Sequence, residues 1–178
     1  MKPSTRSAHR TLNFLEQNPS ISASLFAECD HDLDHLTTLI EPVLEASRRC
    51  EIASSYIQAV TTGRTTFLAT NLPYNQTVQL TEIASSWLVG RSSTCAIAVH
   101  NACISRCHAA IGYYDSGDFY ITDIGSSNGT WVNRRRLMPL ERRILRDGDL
   151  IEFGSFKVEF FVINAQESTL PANDITNF

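Results

Sequence analysis

The sequence predicts an all-β sandwich preceded by an N-terminal α-helical segment. Two patterns carry this reading. Beyond Gly63 the chain divides into short runs rich in β-branched and aromatic residues, separated by Gly, Asn, Asp and Ser, as in a protein of many short strands. Before that point, apolar residues at 36, 40, 43, 50, 53, 57 and 60 fall mostly three or four apart, the stripe of an amphipathic helix. The size agrees: 178 residues with 43% apolar and 19% charged side chains can bury a core without a metal or disulfide staple.

Residues 1–30 are rich in Ser and Thr around one apolar knot of Leu12, Phe14 and Leu15, with a break at Asn18-Pro19. That composition predicts a flexible tail holding at most one short helix. Lys2, Arg6 and Arg10 precede the first acid, Glu16, a bias shared by short solvated tails and organellar transit peptides; the tail is the reading taken. Residues 31–63 form the helical segment. Pro42 is costly inside a helix and tolerated in a first turn, so the segment reads as a short helix ending near Ile40 and a longer one over 42–62, stopped by Gly63. Its stripe either packs on the following domain or, being heptad-like, docks a partner or a second copy of the chain. Ser47 and Ser54 dilute such a seam and favour packing.

Residues 64–164 are the β domain. Its expected strands are Thr65–Leu68, Thr77–Leu80, Trp87–Val89, His108–Tyr114, Asp118–Ile121, Thr130–Val132, Asp149–Phe153 and Lys157–Ile163. Asp115-Ser116-Gly117-Asp118 and Asp147-Gly148 supply turns. Residues 165–178 are a polar tail.

Charge and cysteine usage narrow the function. The net charge is −4, and residues 76–164 hold nine basic and nine acidic side chains. With no polybasic stretch and no interleaved aromatics, a nucleic-acid or membrane-surface footprint is not expected. No run of about 18 apolar residues offers a membrane span. Five cysteines, Cys29, Cys50, Cys95, Cys103 and Cys107, are an odd number with no CxxC pair, which points to the reducing cytoplasm. His100, Cys103, Cys107 and His108 lie within nine residues, but the paired spacing of structural zinc is missing and strand alternation scatters them. No metal or cofactor is expected.

Four pieces of the β region stand in a particular order: Gly90-Arg91-Ser92, Ile104-Ser105-Arg106-Cys107-His108-Ala109, Asp123 through Thr130 with Ser127-Asn128-Gly129 inside it, and Asp147-Gly148-Asp149. Each alone is common turn chemistry. Their order within one predicted sandwich is not, and from about Thr65 to Ile163 it resembles the forkhead-associated (FHA) domain, with that family's Gly-Arg, Ser-Arg-x-His and Ser-x-Asn-Gly-Thr signatures. The resemblance implies a sandwich of about eleven strands whose loops at one end bind a phosphothreonine peptide. It does not reach residues 1–62.

By motif position, the resemblance implies that Arg91 pairs the phosphate and Ser105 donates its hydroxyl to a phosphate oxygen. Ser127 would contact the phosphate or the threonine methyl, Asn128 the peptide backbone, and Arg106 the phosphate or a residue C-terminal to it. The chemistry suits these residue types, because a phosphate of nearly two negative charges needs an always-charged planar donor beside small hydroxyl and amide donors. Gly90, His108 and Gly129 are expected to support the site: the glycines through close approach or positive φ, and His108 by tying down the loop that presents Ser105. Two departures are visible. Arg134 follows Asn133 where the family often has Gly, and Cys107 stands where a charged residue is common.

The expected function is a phosphothreonine-binding adaptor that recruits the product of a Ser/Thr kinase. It is not expected to be an enzyme: no nucleophile–base pair is evident, and Gly90-Arg91-Ser92-Ser93-Thr94 lacks the lysine of a nucleotide-binding loop. The competing reading is a structural or assembly subunit that uses helix 42–62 and a phosphate-independent surface.

Overall fold

The computed structural model describes residues 4–72 and 78–165. The C-terminal tail beyond Ala165 and the start of the 77–80 run lie outside them.

Residues 5–28 are a correction to the expected tail. They form α1 (Thr5–Gln17) and α2 (Pro19–Glu28). Ser4 caps α1 by accepting the Ser7 N–H at 3.2 Å, and Pro19 opens α2 where its missing N–H costs nothing. Phe14, Leu15, Ile21 and Leu25 are buried, so the apolar knot belongs to a core that composition alone did not show. Asp32 then caps α3 (Leu33–Leu44), accepting from the N–H groups of Asp34 and His35. Pro42 lies inside this helix, two residues from its end, where it forgoes the one bond its N–H would have given the carbonyl four residues back.

Helix 42–62 does not exist. A 3₁₀ turn (Ala46–Arg49) follows α3, and Tyr56–Thr61 is β1, buried along its whole length. A strand covered on both faces loses the alternation that marks a half-exposed one, and its apolar residues fell by chance into helical spacing. The stripe read as packing on the β domain, or else docking a partner through this helix, is therefore divided between α3 and the centre of a sheet.

The remaining strands are β2 (Thr66–Thr70), β3 (Gln79–Leu80), β4 (Ser86–Gly90), β5 (Ile97–Ala98), β6 (Ala109–Tyr113), β7 (Phe119–Asp123), β8 (Thr130–Val132), β9 (Arg135–Arg136), β10 (Arg142–Leu145), β11 (Asp149–Phe153) and β12 (Phe156–Asn164). Among the described residues twelve strands make two sheets, ordered β3-β2-β1-β12-β11-β8-β9 and β10-β7-β6-β4-β5. β1 pairs in parallel with β12 from Tyr56↔Glu159 to Thr61↔Asn164. The β domain thus begins near Tyr56 and not near Thr65, and its first and last long strands lock together.

Two cores stack in three layers. Between the sheets lie Ile57, Leu68, Trp87, Val89, Ile111, Phe119, Ile121, Ile151, Phe153, Val158 and Phe160. On the outer face of the seven-stranded sheet, Val60, Phe67 and Ala69 pack against Phe14, Leu15, Leu25, Leu36, Ile40 and Val43 of the helices. Glu28 at the end of α2 also accepts hydrogen bonds from the Thr62 and Thr65 hydroxyls, tying the helical layer to the β1–β2 turn. Among the described residues no helix is long and apolar enough to cross a membrane.

The β8–β9 hairpin turns on Asn133 (φ 50°) and Arg134 (φ 69°), both left-handed. Such a two-residue turn favours Asn followed by Gly, so Arg134 carries strain that a glycine would relieve. Arg134→Gly is expected to stabilise the chain by about 1 kcal/mol, read as a higher urea midpoint at unchanged slope. In the helical layer, Leu36→Ala is expected to cost about 2–5 kcal/mol by the same measurement, since Leu36 is fully buried against the sheet.

Candidate functional site

The strands bring three loops to one end of the sandwich. β4 ends at Gly90 and leads into residues 91–96, residues 99–108 enter β6, and residues 124–129 join β7 to β8. Backbone bonds stitch the first two together: Arg91 N–H donates to the Ser105 carbonyl at 2.9 Å and Ser92 N–H to the Arg106 carbonyl at 3.0 Å. Gly90 is required by that approach, because a Cβ there would lie 2.2 Å from the Arg106 oxygen.

His108 joins the second loop to the third. Fully buried, its Nδ1 accepts the Ser105 N–H at 3.0 Å, so Nε2 carries the proton and donates to the Gly129 carbonyl at 3.0 Å. Burial pushes its pKa below the ordinary histidine value, against smaller opposing effects of the Gly129 carbonyl and Asp123. The neutral ring is the form that the Ser105 contact needs.

Asp123 organises the third loop. Its buried carboxylate accepts the Gly125 and Ser126 N–H groups at 2.8 and 2.9 Å, and the Ser126 and Thr130 hydroxyls at 2.6 and 2.7 Å. Burial alone would raise its pKa, but these donors, led by Ser126, outweigh it and hold the carboxyl below its usual value. Ser126 Oγ accepts the Gly129 N–H at 2.9 Å, and Gly129 adopts a φ of +87°. Sequence reasoning gave no role to Asp123, Ser126 or Thr130. An Asp followed at two and three positions by Gly and Ser is the available signal, since such a carboxylate closes a turn over its own downstream N–H groups.

Four of the sequence-predicted contact residues meet on this frame. Ser127 N–H donates to Ser105 Oγ at 3.0 Å, and Asn128 Nδ2 donates to the Cys103 carbonyl at 2.8 Å. Arg91 is exposed, and its Nε donates to the Ile104 carbonyl at 3.1 Å, which fixes the base of the guanidinium. Among the described residues, no partner takes its terminal nitrogens, the Ser105 hydroxyl proton, the Ser127 hydroxyl or the Asn128 Oδ1. Arg106 is also exposed and outside any ion pair, while its carbonyl is spent on the first loop. By contrast, Arg49, Arg135 and Arg146 pair with Asp147, Glu141 and Asp118. The result is a solvent-facing set of cationic and hydroxyl donors whose one nearby carboxylate is already satisfied.

That arrangement suits a tetrahedral dianion carried on a chain. Residues 87–154 match the family model for the FHA domain. The chain contains an FHA domain. The match starts three residues before Gly90 and runs past β11, so all three loops fall inside it. The chain is 41% identical over 81 residues to an FHA domain-containing protein of Arabidopsis thaliana, covering 44% of this chain and 21% of that protein. It is 35% identical over 71 residues to the glycogen accumulation regulator GarA of Mycolicibacterium smegmatis, covering 40% and 42%. The chain therefore spans less than half the length of these relatives. Among solved structures, the FHA domain of an Arabidopsis thaliana hypothetical protein is 36% identical, covering 52% of this chain and 80% of that one with a TM-score of 0.44. The N-terminal FHA domain of S. cerevisiae Rad53p, solved in complex with a phosphothreonine peptide, is 30% identical, covering 37% and 53% with a TM-score of 0.35.

Among the described residues, no group of three or more His, Cys, Asp or Glu side chains is placed to hold a metal ion. The His108 ring is spent on the FHA loops, and the Cys103 thiol donates to the Phe153 carbonyl at 3.4 Å.

The two buried titratable groups predict how the frame responds to acid. His108 has a folded pKa below its unfolded value of 6.5, so the unfolded chain takes up the proton first, and stability present above about pH 6.5 is lost as pH falls. Asp123, depressed from 3.8, contributes only to losses below that value. Between pH 7 and 5 the unfolding free energy should therefore drop by up to about 1.4 kcal/mol per pH unit more than in His108→Gln. Parallel urea titrations of the two proteins check this; equal slopes would exclude a neutral, buried His108.

Proposed function

We propose that this FHA domain binds a phosphothreonine-containing segment of a protein modified by a Ser/Thr kinase, and so acts as a non-catalytic adaptor in kinase-linked signalling in the cytoplasm. One observation supports this most: the Arg91 guanidinium is anchored through Nε while its terminal nitrogens stay unpaired, on a frame that also leaves the Ser105 hydroxyl proton unspent. In this reading Arg91 grips two phosphate oxygens as a fork, and Ser105 donates to one of them. Ser127 donates its hydroxyl to the phosphate or packs beside the threonine methyl. Asn128 turns its free Oδ1 to a backbone N–H of the peptide, and Arg106 adds positive charge C-terminal to the phosphate. Gly90, His108 and Gly129 hold the loops in place.

Two or three charge-assisted bonds at about 1.5–3 kcal/mol each give an affinity of roughly micromolar, about −8 kcal/mol, which suits reversible recruitment. The packing of the helices supports the reader over the assembly subunit. Their apolar stripes are spent on the outer face of the chain's own sheet, leaving no helix 42–62 to serve as a seam.

Arg91→Ala tests the assignment, since an exposed side chain can be removed without touching the core. Anisotropy of a labelled degenerate phosphothreonine peptide pool, against its unphosphorylated counterpart, should show phosphate-dependent binding that weakens at least about thirtyfold in the folded variant. Near-wild-type binding by Arg91→Ala would refute the phosphate role.

A further inference from the structure

The first two loops of the site are joined by sulfur as well as by backbone. The Arg106 carbonyl that accepts the Ser92 N–H also accepts the Cys95 thiol at 3.2 Å, which sets the Cys95 sulfur beside the residue that precedes Cys107. Cys95 is buried and Cys107 is exposed. Twelve residues apart in sequence, they sit on opposite loops, four residues after Arg91 and two after Ser105. Cys107 also lies against the strand end, its Cα 3.0 Å from where a Cβ on Gly90 would stand. One thiol is open to solvent, its neighbour waits behind it, and the segment between Ser105 and Cys107 belongs to the binding surface.

Resting on the phosphothreonine reading above, we propose that Cys95 and Cys107 form a redox-active dithiol, oxidised by a peroxide to a disulfide that weakens phosphopeptide binding. The exposed Cys107 thiolate attacks the peroxide, the O–O bond breaks, and a sulfenic acid forms as hydroxide leaves. The Cys95 sulfur then attacks the Cys107 sulfur; the S–S bond forms, the S–O bond breaks, and water departs. In sum, two thiols give up two electrons and two protons, and hydrogen peroxide becomes two waters. A dithiol reductant reverses the change. Burial, aided by the neighbouring Cys107, pushes the Cys95 thiol up, so it stays protonated and inert until Cys107 has been oxidised. A disulfide of this kind is transient and regulatory, as suits a reducing compartment.

The consequence for binding follows from distance. The two sulfurs must close to about 2.05 Å to bond. That movement draws Cys107 inward, and Arg106 and Ser105 with it. It also takes from the Arg106 carbonyl the Cys95 hydrogen that it accepts, and shifts the Ser105 hydroxyl against the Arg91 fork. Charge-assisted bonds keep their strength only near ideal geometry, so the displacement costs affinity.

The full chain, reduced and then treated with hydrogen peroxide, decides the matter by peptide mapping and by anisotropy of the same phosphothreonine pool. Trypsin cleaves after Arg106, so the expected product joins peptide 92–106 to peptide 107–134 with the loss of two hydrogens. Cys103 shares the first peptide with Cys95; the cross-link should persist in Cys103→Ser and vanish in both Cys107→Ser and Cys95→Ser. Affinity should fall at least about fivefold on oxidation, recover with dithiothreitol, and stay unchanged by peroxide in Cys107→Ser, whose exposed position leaves folding intact. Absence of the cross-link, or a cross-link with unaltered affinity, overturns the proposal. Failure of the reduced chain to bind the pool would instead overturn the phosphothreonine reading, and the mapping would then decide the dithiol separately.

Discussion

The His108 ring is the contact on which the loop end of the sandwich depends. It is uncharged and buried, with one nitrogen accepting from the loop that carries Ser105 and the other donating to the loop that carries Ser127 and Asn128. A protonated ring cannot accept the Ser105 N–H, and a side chain without two opposed polar atoms cannot span the loops. Asp123 works beside it by a different principle, converting one buried charge into four short bonds that set the shape of a single turn. Both groups spend their whole hydrogen-bonding capacity on the protein. That spending is what leaves the outward donors unspent.

The division between satisfied and unsatisfied donors separates scaffold from surface here. Four arginines of the β domain have an occupation: Arg135 and Arg146 have carboxylates, Arg142 lies over Tyr120, and Arg136 lies over Trp131. Arg91 is held only at Nε, and by a carbonyl, so its full charge remains outside. The site is therefore an open cationic surface. A cavity of about 310 Å³ lies behind the β7–β8 loop, lined by Asp123, Ser126, Arg136 and Met138, and includes neither Arg91 nor Ser105.

The helical layer and the sandwich share one sheet. β1 sits between β2 and β12 with the inter-sheet core on one face and the helices on the other. Removing everything before Gly63 would take away this central strand and leave Phe67 and Ala69 uncovered. A boundary at residue 64 was the natural reading because the turn at Gly63 separates two kinds of spacing. The physical boundary falls earlier, since a parallel partner for β12 must come from a distant part of the chain, and no local pattern announces it.

Local chemistry was legible wherever a residue's own properties forced its surroundings. The strands that alternate, such as Trp87–Val89 and Asp149–Phe153, and the turns at Gly117 and Gly148 with their positive φ, follow from periodicity and from glycine's freedom. The loop residues of the site were legible through the order of short motifs, although the contacts that fix Gly90, His108 and Asn128 reach across to Arg106, Gly129 and Cys103 on other loops. What only the tertiary structure decided are the relations between distant segments: that residues 5–28 are helices packed on a sheet, that 56–61 is a central strand, and that the Cys95 thiol lies against the Arg106 carbonyl. Burial is set by what packs on a segment from elsewhere, and a sequence window holds one side of that contact only.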